Sequence, residues 1–419
     1  MAAEEIPTTV ITFVALLMFL QFGESMAMSA LYSSLLFVPY VLRSFFRHRV
    51  SAAGNFKQRI HLCEMLIFLF LMLLEVCIHY YTGSVFLMFI ITFIISSLCA
   101  WHDILGRMFY DGMLHPRLQN IFNRNKIFAS ITTTVLTYGV LIMFVGSLEV
   151  IFRMPTEVLT KRLAWSMECY IIAGGFMLFS LLNVVLLKNP LVQNPHRYET
   201  IRNTVSAELR VLERIKKQPY SQHIILSLFF LLLPQSLMFF TRVFFLLARA
   251  KDGGLDCSIP ELGFAQGTIG VIAFGVGILT GRQLLRRYGT RRMFWWMVVP
   301  LTLSPVFYMF MAHDPLVDNL PAICSMCLLA QLFFGFGLNI CHAFVRSISG
   351  ERYRNTIGVF YIPLIAAAMF IPMAVSGLLC QRLGFRLFFT IDAALAPLAW
   401  LVLIVLHIRT KLPLNKHQQ

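Results

Sequence analysis

Long apolar blocks separated by short polar connections run the length of the chain. The blocks fall at residues 6–22, 26–46, 61–80, 84–111, 127–152, 164–187, 223–249, 265–285, 293–312, 319–345, 356–380 and 386–408. Their lengths centre on roughly 18–25 residues, what a helix needs to cross about 30 Å of hydrocarbon. Lipid offers no partner to an open backbone, so each block is expected to close its own hydrogen bonds as a helix. The ten-residue alternation of a membrane β-barrel is absent. The pattern therefore predicts an all-α integral membrane protein of about twelve spans. The first block is the least regular, holding Pro7, three threonines and Gln21, and is expected to form a shortened span. No basic segment precedes it, so no cleavable signal is expected.

The polar connections carry the organisation. The longest, residues 188–222, separates six blocks from six, which predicts a first bundle at 1–187, a linker at 188–222, a second bundle at 223–409 and a tail at 410–419. Within the linker, Val205, Leu209, Leu212 and Ile215 recur at helical spacing amid Arg202, Arg210, Arg214, Lys216 and Lys217. That pattern predicts a basic amphipathic helix lying on an anionic leaflet. One side collects Arg43, Arg47, Arg49, Arg117, Arg124, the linker and the tail, while the other holds few basic residues, among them Arg153, Lys161 and Arg162. The bias predicts both termini in the cytoplasm, and an even number of spans agrees with it.

Composition sharpens the picture. The chain is 58% hydrophobic and 13% charged, with mean hydropathy +0.74, against about 25% charged residues in soluble domains. Its net charge of +15 sits between apolar blocks, so it reads as loop asymmetry and predicts the bilayer as partner, with no nucleic acid. Eight of the nine cysteines fall in or beside apolar blocks and read as small hydrophobes, Cys324 and Cys327 included; Cys257 alone is in a polar loop. No zinc spacing, phosphate loop or nucleophile elbow is present. The expectation is a monomer with no metal or cofactor, and not an enzyme.

Ionisable residues within a span are costly and mark candidate chemistry. The fourth block holds Trp101, His102, Asp103, Arg107 and Asp111. Asp103, Arg107 and Asp111 are four apart and share one helical face, as an ion-pair ladder at a helix end or as a proton or substrate site. Glu64, Glu75, Glu168, Arg242 and Asp392 are isolated charges within other blocks. Gln235, Arg242, Gln331, Asn339 and His342 are candidate cavity contacts. The glycines of the eighth block, 267, 270, 275, 277 and 281, read as a helix-packing face.

The segment Gly281-Arg-Gln-Leu-Leu-Arg286-Arg287-Tyr-Gly289-Thr-Arg291-Arg292 resembles the basic loop signature of the major facilitator superfamily, with Arg286 at its acidic position. Leu31 to Arg43, Trp101-His-Asp-Ile104, Gly253-Gly-Leu255 with Gly267 to Ile272, Gln331 to Gly337 and Gly384 to Phe389 are similar to AmpG-type muropeptide permeases. The resemblance implies two six-helix bundles and a proton-driven importer of amino sugars or muropeptides in the cell inner membrane. His102 and Asp103 would then be the proton-linked pair. Three carboxylates of that subgroup are absent here. Arg47-His48-Arg49 stands in the loop after the second block, Arg107 on the fourth, and Pro234-Gln235 on the seventh. A transporter of a different organic anion, or a non-transporting sensor or scaffold of the same fold, are the alternatives.

Overall fold

Among the described residues, each apolar block carries a helix: α1 (Ala15–Gln21), α2 (Met26–Leu42, with a turn inside it), α3 (Phe56–His79), α4 (Val85–Met113), α5 (Phe128–Phe152), α6 (Glu157–Leu186), α7 (Ser221–Leu247), α8 (Ile259–Tyr288), α9 (Thr290–His313), α10 (Leu320–Ser349), α11 (Arg354–Leu383) and α12 (Phe385–Val405). The structure, a computed structural model, describes residues 13–42, 56–80, 84–113, 128–152, 154–186, 221–314, 319–349 and 354–406. Ten of the helices, α3 to α12, are long and apolar enough to cross a membrane. The expected helix of the 188–222 linker and the basic clusters at 43–49 and 117–126 lie outside the described residues.

Helices α8 and α6 are among those that begin earlier than hydropathy predicts, and polar caps start both. For α8, Ser258 and Glu261 form a reciprocal capping box with Pro260 in the first turn, which satisfies amides that the helix start would leave open. For α6, the Thr156 hydroxyl accepts from the Leu159 amide at 3.3 Å and Lys161 Nζ sits 2.6 Å from Glu157 one turn away. Lys161 and Arg162, expected in a connection, are therefore helical.

The helices are inside-out relative to those of a soluble protein. On α3 the exposed face is Leu62, Met65, Leu69, Leu73 and Val76, while the buried face carries Glu64 and Glu75 beside Ile60, Ile67, Leu71 and Ile78. Such a stripe in water would be an aggregation surface; against lipid it is the required coat, and the charges turn inward.

Contacts divide the chain into two units, Met1–Ser25 with Leu35–Leu209, and Met26–Ser34 with Arg210–Gln419. In the first, α3 packs on α4 and α6, and α5 on α6. In the second, α10 packs on α8 and α9, and α7 lies against α9, α11 and α12. The division cuts the chain within the polar linker, and it also assigns the first half of α2 to the second unit. The physical reason is a close approach: a Cβ on Gly377 of α11 would lie 2.2 Å from the Met26 carbonyl and 2.8 Å from the Ala30 side chain. Only small residues permit that proximity, and nothing in the hydropathy pattern marks it.

The same device holds the second unit together. A Cβ on Gly335 of α10 would meet the Phe274 carbonyl at 2.2 Å, and one on Gly277 of α8 the Leu332 carbonyl at 2.4 Å. Gly337, on another side of α10, faces Met297 and Leu301 of α9. The α8–α9 corner is closed by Gly289 at φ +77°, and Gly384 at φ +75° makes the matching turn between α11 and α12.

Candidate functional site

Glu64 is fully buried on α3, and four side chains converge on its carboxylate. Its Oε1 lies 3.3 Å from His102 Nε2 of α4 and accepts from Asn183 Nδ2 of α6 at 2.6 Å. Its Oε2 accepts from Ser180 Oγ at 2.8 Å and lies 3.2 Å from His61 Nδ1. The cluster sits toward the start of α3 and the ends of α4 and α6, so α3 meets two helices running opposite to it. A charge excluded from water needs this density of donors to persist. A carboxylate between two imidazoles, joined by hydrogen bonds, is a constellation that can accept and release a proton.

The sequence pattern singles out His102 and, separately, Glu64 as an isolated charge, without joining the two. Asp103, the expected partner, is also buried on α4, but the carboxylate within reach of the His102 ring is Glu64, 38 positions away. Two spacings carried the signal: His61 with Glu64, and Ser180 with Asn183, each three apart on one helix face. The side chains of Arg107, Asp111 and His342 lie outside the described residues. Glu168, buried on α6, has both carboxylate oxygens without a hydrogen-bond partner among the described residues.

In the second unit a polar network crosses α8, α9 and α10. Gln266 Nε2 donates to the Tyr308 hydroxyl and, at 3.1 Å, to Cys327 Sγ, and its Oε1 accepts from Gln331 at 3.3 Å. Gln266 lies within a π-helical stretch, Gly263–Gly270, a distortion that recurs where a side chain must be re-aimed. Of the five residues expected as cavity contacts, Gln331 belongs to this network. Asn339 bridges α10 to α8 through the Ile278 carbonyl at 3.3 Å and also bonds carbonyls of its own helix. Gln235 donates at 2.7 Å to the Leu301 carbonyl. That carbonyl lies four residues before Pro305, whose missing N–H leaves it without its helical partner. Arg242 is buried on α7 with its guanidinium 5.1 Å from the Phe239 ring. Arg287 and Arg292, expected in a loop, lie in the last turn of α8 and the first of α9, both over Tyr288 at 5.4 and 5.7 Å, on either side of Gly289. Gly281 abuts Asn339, while Arg286 and Arg291 flank the same corner.

The described helices, taken in order, share the fold of several solved transporters, which the chain matches along nearly its whole length. A nucleoside transporter, NupG, matches with TM-score 0.68 at 16% identity over 98% of each chain. A peptide transporter, POT, matches with TM-score 0.69 at 11% identity, over 98% of this chain and 94% of the other. The xylose transporter XylE from E. coli, in a partially occluded inward-open state, matches with TM-score 0.67 at 10% identity, over 96% of this chain and 94% of that one. No family model and no curated protein matches the sequence.

Proposed function

We propose that this protein is a secondary transporter that moves a small solute by alternating access, and that Glu64 with His102 carries the coupled proton. The observation behind it is the Glu64 cluster, a fully buried carboxylate held by two histidines, a serine and an asparagine from three helices. A merely structural ion pair would not need two titratable imidazoles around one acid. The cluster also moves the coupling role from the His102–Asp103 pair that the resemblance implies to a pair spanning two helices. The cargo in this reading is an amino sugar or muropeptide, supported by the fourth-, tenth- and twelfth-span segments. The location is the cell inner membrane with both termini cytoplasmic, supported by the distribution of arginine and lysine.

Proteoliposomes loaded at one pH and diluted into another test it, with labelled anhydro-muropeptide and N-acetylglucosamine as solutes. An inward proton gradient is expected to drive accumulation. Glu64→Gln is expected to abolish the gradient's effect while leaving solute exchange at zero gradient within a fewfold. Full gradient-driven uptake by Glu64→Gln would sink the coupling assignment. A sensor of the same fold would bind solute in these vesicles and show no flux.

A further inference from the structure

The second unit buries a cation that no carboxylate among the described residues pairs with. Arg242 is 4% exposed and its Nε has no hydrogen-bond partner. Among the described residues the guanidinium makes no hydrogen bond and no ion pair; its one close neighbour of note is the Phe239 ring. Asp392, also buried in this unit, has no hydrogen-bond partner on either carboxylate oxygen among the described residues and is not paired with Arg242. Arginine cannot escape by losing its proton, so a guanidinium left this way is among the least favourable arrangements an interior can hold. Snorkelling does not account for it. Arg242 stands near the end of α7, but its side chain is withdrawn from solvent instead of extended toward it. A cation–π contact offsets only part of that loss.

The surroundings are those of a ligand subsite. Arg242 lies within electrostatic reach of the Tyr308 hydroxyl and the Cys327 thiol, which joins it to the network of Gln266 and Gln331. Gln331 uses one N–H on Gln266, and its amide oxygen makes no hydrogen bond among the described residues. These groups sit at one end of the unit, where α7 and α9 finish and α8 and α10 begin. We propose that Arg242 is an anion-binding residue, and that the second unit takes a small organic acid or phosphate ester whose charge seats on the guanidinium. The Gln331 amide and the Phe239 ring meet the uncharged part. An arginine fork suits either anion, since both carboxylate and phosphate present two oxygens to it. The inference takes from the transport reading only that a small solute enters this unit, and it holds equally for a sensor.

Thermal unfolding of the purified protein in detergent tests it, with glucuronate, N-acetylmuramic acid and glucose 6-phosphate as anions and glucose and N-acetylglucosamine as their uncharged counterparts. At least one anion is expected to raise the Tm of the native protein, and carboxylate or phosphate preference separates the two sources. Arg242→Gln is expected to weaken that anion at least tenfold, with Arg242→Lys intermediate and any response to the uncharged sugars unchanged. Without ligand, Arg242→Gln is expected to have a Tm equal to or above the native value, because it removes an unpaired buried charge; a structural arginine would lower it. The proposal is overturned if no anion of the set stabilises the native protein, if Arg242→Gln binds as well as native, or if its ligand-free Tm falls. Binding is read without flux, so anion binding in a protein that fails to transport would refute the transport reading and leave this one standing.

Discussion

At the scale of single residues, buried polar groups in this chain divide into those with a structural partner and those without. Gln235 belongs to the first kind. Pro305 removes an N–H from α9, the Leu301 carbonyl is left open, and Gln235 reaches across from α7 to fill it at 2.7 Å. Replacing Gln235 with methionine keeps the volume and drops the donor, and is expected to destabilise the protein by about 1–3 kcal/mol, the cost of an orphaned buried carbonyl. Pro305→Ala returns the helical N–H. In that background Gln235→Met is expected to lose most of its effect, and a double-mutant cycle on unfolding midpoints measures the coupling. Additive effects would show that Gln235 acts through some other contact. Glu64 is partnered too, by more groups than packing alone would require. In the sequence it reads as an isolated acid, because hydropathy and spacing along one helix cannot report that α4 and α6 bring His102, Ser180 and Asn183 to the same point.

At the scale of elements, the sequence carries the helices well and their contacts poorly. The helices are legible because lipid imposes one length and one backbone solution. Starts at polar caps, such as Ser258 and Thr156, are missed because apolar length is blind to them. Glycine is legible only in part: the eighth span reads as a packing face, yet its partner on α10 cannot be read from composition. The structure separates glycines that must be glycine from those that need not. Gly335→Ala would place a Cβ 2.2 Å from the Phe274 backbone carbonyl, which cannot rotate away, whereas at Gly175 of α6 an added Cβ meets nothing within 4 Å. Gly335→Ala is expected to destabilise by about 1–3 kcal/mol through overpacking. Gly175→Ala is expected to be neutral or to stabilise by up to about 1 kcal/mol by stiffening the unfolded chain. Equal losses for the two, measured by thermal unfolding in detergent, would mean that α8 and α10 are not in backbone contact.

At the scale of the whole molecule, fold and orientation rest on different physics. The fold follows from backbone satisfaction in lipid; the orientation follows from where arginine and lysine remain when the chain inserts. With the linker on the cytoplasmic side, α7 runs outward, the α7–α8 loop faces away from the cytoplasm, and the Gly289 corner with its arginines faces into it. Cys257 lies in the α7–α8 loop, half-buried where the chain folds back on α7, its amide donating to the Leu246 carbonyl at 2.8 Å. Burial, and then the nearby Glu261 carboxylate, pushes its thiol up to about 12. The thiolate is the reactive form, so its fraction at neutral pH is about a thousandfold below that of an ordinary thiol, and the rate falls by roughly 30- to 1000-fold once nucleophilicity is allowed for. A membrane-impermeant maleimide is therefore expected to label Cys257 from outside intact cells slowly, and faster by up to tenfold for each unit of rising pH, with Cys257→Ser as the control. Cysteine introduced by Tyr288→Cys at the opposite corner is expected to label only after permeabilisation. Labelling of Tyr288→Cys but not of Cys257 in intact cells would invert the orientation, placing the termini outside. A flat pH dependence at Cys257 would show instead that the loop opens and that its thiol is not held in the buried position from which the shift arises.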